Sequence, residues 1–200
     1  MTEKGARATP VLSPQALNIL DAVCVLYFAA SGQLSLLVEI LTAANYRILL
    51  PTEVLEEVRA KASRKRWTIK ALDHYLNCDA DARIVEIPEI TAADAEATTL
   101  LAQVRSRHPN VVSGSTGINS SEDLGECVVV THSILARRRG MLAVVSIDDL
   151  KGQKLAERHQ VTYFTIETQL GSGAQTTPQA RTCSPQTRAV NHGHFRACAG

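Results

Sequence analysis

The chain has 200 residues, of which 45% are hydrophobic and 20% charged, enough for one well-buried core and too few for two ordinary domains. Its net charge of +1 and pI near 7.7 exclude the whole-molecule positive field of a general nucleic-acid binder, so any RNA contact has to come from a local patch. No apolar run approaches the roughly 20 residues that span a bilayer, no apolar stretch directly follows the N-terminal MTEKGARATP, and the five cysteines are odd in number and scattered. The expectation is a cytoplasmic protein with no membrane segment and no disulfide framework.

In chain order, residues 1–16 read as a flexible segment, 17–168 as one folded domain and 169–200 as a disordered tail. Leu17 to Leu20 predicts a first strand ending at Asp21, followed by a helix through Ala30 that Gly32 terminates, and a second helix from Leu34 to Ala44. Tyr46 to Leu50 predicts a strand stopped by Pro51. Thr52 offers an N-cap for a helix over Glu53 to Ala62 that carries Val54, Leu55 and Val58 on one face. A helix near Thr68 to Leu76, a strand from Arg83 to Ile87 and an Ala-rich helix from Ala92 to Arg107 come next.

Pro109 to Ser121 is mostly Ser, Gly, Thr and Asn and reads as a surface loop. Ser120 and Asp123 fit a capping box opening a helix through Arg139, with Leu124, Val128 and Leu135 facing the core and Gly140 closing it. Leu142 to Ile147 predicts a buried strand, Asp149 to His159 a short helix and Val161 to Thr165 a last strand. From Gly171 onward there is no Asp or Glu and little that could form a core. The tail residues Cys183, His192, His194 and Cys198 are metal-ligand types at a spacing that fits no common zinc pattern. Strands alternating with helices predict an α/β fold with a mostly parallel sheet covered on both faces.

The acids fall at informative places. In an open parallel sheet the functional crevice lies beyond the carboxyl ends of the strands. Asp21 ends one predicted strand, and Asp148 and Asp149 end another. Glu53, Glu56 and Glu57 open the helix after the second strand, while Glu122, Asp123 and Glu126 open the helix before the fourth. Asp123 and Glu126, three apart, are neighbours on one helix surface, as are Glu53 and Glu57, four apart. Carboxylates crowded together repel, and Mg²⁺ or Mn²⁺ relieves that repulsion. The helix dipole alone also favours acids in a first turn, which suffices for Glu53, Glu56, Glu122 and Asp123, and a capping role alone suffices for Asp149.

Arg59, Lys61, Arg64, Lys65 and Arg66, with Trp67 beside them, form an acid-free run that could follow phosphates and stack on a base; a solvated basic helix with Trp67 in the core is the plainer alternative.

The ordered series Asp21, Glu57, Glu126, Asp148 resembles the acidic motifs of the PIN-domain family. "NILDAVCVLYFAASGQL" is similar to its first strand and helix, "LLPTEVLEEVRA" to its second acidic motif and "DLGECVVVTHSILARRRGMLAVVSIDDLKGQKLAE" to its third and fourth, over about Asn18 to Ile166. The resemblance implies a Rossmann-like three-layer α/β/α sandwich and a ribonuclease dependent on Mg²⁺ or Mn²⁺. It makes Asp21, Glu57, Glu126 and Asp148 catalytic metal ligands, with Asp123 and Asp149 as auxiliary ligands and Glu57 preferred over Glu56. It implies an RNA substrate and, as for small toxins of toxin–antitoxin pairs, an antitoxin protein and a homodimer as partners. Ala22 and Val23 depart from the Ser or Thr many members carry after the first aspartate. The alternatives are a catalytically inactive PIN-like domain that binds RNA or protein, a phospho-acceptor domain, which would want its acidic pair after the first strand, and a small-molecule-binding Rossmann-like domain, for which no glycine-rich phosphate loop follows the first strand.

Overall fold

A computed structural model of the chain describes residues 15–67, 69–77, 83–108 and 123–172. The elements run β1 (Ala16–Leu20), α1 (Ala22–Ala30), α2 (Leu34–Ala43), β2 (Tyr46–Pro51), α3 (Thr52–Lys65), α4 (Lys70–Asn77), β3 (Ile84–Ile87), α5 (Ala95–Ser106), α6 (Leu124–Arg138), β4 (Ala143–Ser146), α7 (Leu150–Arg158), β5 (Tyr163–Phe164) and α8 (Ile166–Ser172). The strands form one all-parallel sheet in the order β3-β2-β1-β4-β5. Helices cover both faces, giving the expected Rossmann-like three-layer α/β/α sandwich.

The strand order explains where a site can form. From β1 the chain builds outward through β2 to β3, then crosses back to place β4 on the other side of β1. This reversal leaves a crevice at the carboxyl ends of β1 and β4. Leu20 pairs with Ser146 and the Asp21 N–H donates to the Ser146 carbonyl at 3.1 Å, so the two strands end level. The acids that follow each strand therefore leave the sheet side by side.

The core accounts for the apolar runs. Ile19 and Leu20 of β1, Ile48 and Leu50 of β2 and Val145 of β4 are fully enclosed, as strands covered on two faces require. α6 lies against α3, α5 and α7, and Gly125 and Cys127 to Thr131 are all buried. Gly32 and Gly140 take positive φ where α1 and α6 end, in agreement with their expected role as terminators.

Several expectations need correction. Thr52 is the first residue of α3, not its cap; its hydroxyl donates to the Ile87 carbonyl and to Glu86, tying α3 to β3 instead. Leu142 is 70% exposed and precedes β4, and Leu124 is only half-buried while Val128 and Leu135 are buried. The last strand has two residues, and its continuation turns into α8, a helix that the expected boundary at 168 would cut. Gln169 of α8 is buried, which places that helix within the folded domain. The loop over 109–121, Ser120 of the expected capping box, Glu122 and the tail residues Cys183, His192, His194 and Cys198 lie outside the described residues. Among the described residues no helix is long and apolar enough to cross a membrane.

Candidate active site

Asp21 leaves the end of β1 and caps α1, its carboxylate accepting the Val23 N–H at 3.2 Å. It is almost fully buried, and burial, helped by the Glu57 charge, pushes its carboxyl up to about 6 against the lowering effect of that hydrogen bond. Glu57 comes from the second turn of α3, and Lys61, one turn on, holds its carboxylate. Glu56 points to solvent, and Glu53 accepts the Ile90 N–H at 3.0 Å, away from the cluster. Of the three acids on α3, Glu57 alone faces Asp21.

Glu126, in the first turn of α6, is the centre of the arrangement. Its carboxyl is pushed up to about 9, first by burial, then by a hydrogen bond with Asp149 and the charges of Asp21, Asp149 and Asp123. Near neutral pH, without a cation, Glu126 therefore carries a proton. His108, which follows α5, places Nε2 3.1 Å from Glu126 Oε2 and Nδ1 3.8 Å from Asp123 Oδ2. Burial holds this imidazole below its ordinary range despite the nearby Asp123 charge, so a neutral ring shares a hydrogen with the protonated carboxyl. Lys151 lies 3.9 Å from Asp123 at the rim.

The acidic pair after β4 divides its work. Asp149 caps α7, accepting the Lys151 and Gly152 N–H groups at 3.0 and 3.4 Å, and also meets Glu126. Asp148 accepts the Ile166 N–H at 3.2 Å, fixing the start of α8, and its charge is felt with that of Asp21 by the buried Cys24 thiol. Glu57 thus acts on Asp21, and Asp21, Asp123 and Asp149 act on Glu126, whereas Asp148 shares with Asp21 only the neighbouring Cys24; it is Asp149 rather than Asp148 that meets Glu126.

Two glycines make room for this packing. A Cβ at Gly125 would lie 2.5 Å from Glu57 Oε2, so the Glu57 carboxylate crosses α6 only because that position is bare. A Cβ at Gly152 would meet Ile147 Cγ2 at 2.7 Å and the Glu126 stem at 3.3 Å. His108, Gly125 and Gly152 were not among the expected site residues. Gly125 stood in the Gly-Glu string, but its purpose depends on the distant Glu57, and nothing local marks His108.

The basic run splits. Arg59 pairs with Asp73 at 3.4 Å, and Arg66, at φ +57, ends α3 in the left-handed conformation. Lys61, Arg64, Lys65 and Trp67 line one groove against α1, with Trp67 44% exposed and so not a core residue.

The donor set suits a hard divalent cation: several carboxylates, two of them with raised affinity for a proton, converge where the buried His108 imidazole can add a nitrogen. His108, Asp123 and Glu126 each offer a ligand atom within 4.8 Å of the others. Comparison with models of known protein families gives no match, and a search of curated proteins gives none either.

Proposed function

We propose that this protein is a metal-dependent ribonuclease of the PIN-like type that hydrolyses RNA phosphodiester bonds. The observation that carries the reading is the half-buried Glu126 set against Asp149 and His108 with Asp21 and Asp123 nearby, where burial and like charge strengthen its hold on a proton. A fold that gathers these acids and must hold a proton among them gains by exchanging that proton for Mg²⁺ or Mn²⁺. Asp21, Glu57, Glu126 and Asp149 would hold the cation, with Asp148 and Asp123 on either side of them. When bound, the cation supplies the positive charge that lowers the pKa of water and steadies the phosphoryl oxygens. The chain's own part is orientation: Asp21 is fixed by the Val23 N–H, Asp149 by the start of α7 and Glu57 by Lys61. The toxin assignment, with its antitoxin and homodimer, rests on the sequence resemblance and is proposed with it.

A second reading, a PIN-like domain that binds RNA or protein without cutting, is favoured by a specific observation. Lys61 on Glu57, Lys151 near Asp123 and His108 on Glu126 already give three acids an internal partner. Incubation of labelled tRNA and mRNA fragments with Mg²⁺, Mn²⁺ or EDTA separates the two. Cleavage that needs metal and disappears in Asp21→Asn and Glu126→Gln is expected; absence of cleavage, with no rise in melting temperature on adding metal, transfers the assignment to the binding module.

A further inference from the structure

We propose that the groove between α1 and α3 binds single-stranded RNA, with bases stacked on Tyr27 and Trp67 and phosphates held by Lys61, Arg64 and Lys65. The inference rests on the nuclease reading above and adds the form of RNA that the site accepts. The groove has a volume of about 690 Å³, and Leu26 and Tyr27 of α1 face the three cations and Trp67 across it. All its charged lining residues are cations. Tyr27 and Trp67 are 55% and 44% exposed and line the same groove, so that their rings form one solvent-open patch.

Both rings are carried on fixed backbone. Tyr27 sits mid-helix with its ring edge-on to the buried Phe28, centroids 5.9 Å apart. Arg66 turns left-handed after α3, and the Trp67 N–H reaches back to the Ala62 carbonyl at 2.9 Å while Arg66 N–H bonds Ser63. This helix-closing motif sets Trp67 over the last turn of α3. A short strand offers what such walls need: successive bases, one for each ring, and successive phosphates, one negative charge for each cation. In a duplex those faces are hidden by neighbouring pairs, so the groove takes an unpaired strand. An apolar helix of a partner protein would also suit the walls, but the groove runs into the acid cluster. Val23 lines it while its N–H binds Asp21, and Lys61 lines it while holding Glu57. A strand lying there is delivered to the carboxylates.

Trp67 is the sole tryptophan, so its emission reports this groove alone. The full-length protein in EDTA, which withholds the metal that cleavage requires, is titrated with a 2′-O-methyl RNA single strand, whose blocked hydroxyls also prevent internal cleavage by the 2′ oxygen, and with the same sequence as a duplex. The single strand is expected to quench Trp67 and the duplex to leave it unchanged. Tyr27→Ala is expected to weaken binding roughly 5- to 100-fold, and Lys65→Ala to reduce the slope of log K against log salt by about 0.7. Binding without a change in Trp67 emission, equal quenching by duplex, or an unaltered affinity in Tyr27→Ala overturns the proposal. So does a Trp67 already shielded from acrylamide by a second copy or a co-purified protein. Asp21-dependent cleavage by a protein whose Trp67 stays silent sinks the groove and leaves the nuclease reading intact; quenching without any cleavage does the reverse.

Discussion

Two polar regions lie on the same pair of strands and solve burial in opposite ways. Within the sheet, Ser146 of β4 donates to Asn18 of β1 at 2.8 Å and receives the Gln169 amide from α8, whose oxygen in turn accepts the Cys24 thiol. These groups are neutral, and apart from Asn18 Nδ2 they answer one another. A few residues on, past the strand ends, Asp21 meets Glu57, and Asp149 meets Glu126. Here the groups are alike in charge, and the chain answers them with a proton on Glu126 and with Lys61 and Lys151. Neutral polar atoms can be satisfied from inside a fold; crowded carboxylates call for a partner from outside.

The comparison is broken most directly at the acids. Asp21→Asn, Glu126→Gln and Asp149→Asn are each expected to lower metal-dependent RNA cleavage on the order of 100-fold or more, since each removes an anionic ligand that would hold the cation. Retention of cleavage in all three, measured as initial rate at saturating Mn²⁺, would place the chemistry elsewhere.

Stability without metal should move the other way. The folded protein holds the protons of Asp21 and Glu126 up to about 6 and about 9, above their unfolded values near 4. It therefore binds more protons than the unfolded chain, and stability falls as pH rises through that range. His108, His132 and His159 are pushed down by burial, so their contribution falls as pH drops below about 6.5 and opposes the carboxylates only there. Between pH 7 and 8, below the range in which the buried Cys24 and Cys127 thiols add a loss of the same sign, the Glu126 effect dominates, on the order of 1 kcal/mol per pH unit. Urea unfolding in EDTA should show wild type losing stability over that window and Glu126→Gln staying level, with Mn²⁺ restoring wild type only. Parallel curves for the two proteins would mean that Glu126 is ionised without metal.

The neutral network gives the contrasting case. Gln169→Ala leaves Ser146 and Cys24 without their buried partner and should cost about 1–3 kcal/mol at any pH from 7 to 9, with or without metal. A cost that vanishes on adding Mn²⁺ would join this network to the site.

Much of this was legible in the sequence, and the rest was not for physical reasons. Strand ends at Asp21 and Asp148 showed through the change from apolar run to acid, and α3 through its Val54, Leu55, Val58 stripe. Which of Asp148 and Asp149 meets Glu126 depends on how α7 and α8 leave the sheet, which adjacent identical residues cannot reveal. α8 was hidden because a seven-residue helix with two buried anchors, Ile166 and Gln169, has too little periodicity to separate from a polar tail. Tyr27 and Trp67 are 40 positions apart in number, and only the packing of α1 on α3 brings them to one groove.

The smallest effect tests the glycine that joins two of the acids. At Gly125 an added methyl meets Glu57 Oε2, the far end of a flexible side chain, and otherwise only ordinary contacts with Val54 at 3.8 Å. Gly125→Ala should therefore gain helix propensity of up to about 1 kcal/mol and give back part of it by displacing the carboxylate, leaving stability nearly unchanged. Displacement of Glu57 has a separate readout, because it pulls one acid away from Asp21. Mn²⁺ affinity by calorimetry should fall roughly 10-fold while the melting temperature in EDTA hardly moves. If affinity is untouched, Glu57 belongs with Lys61 as a surface ion pair and the cation is held by Asp21, Glu126 and Asp149 without it.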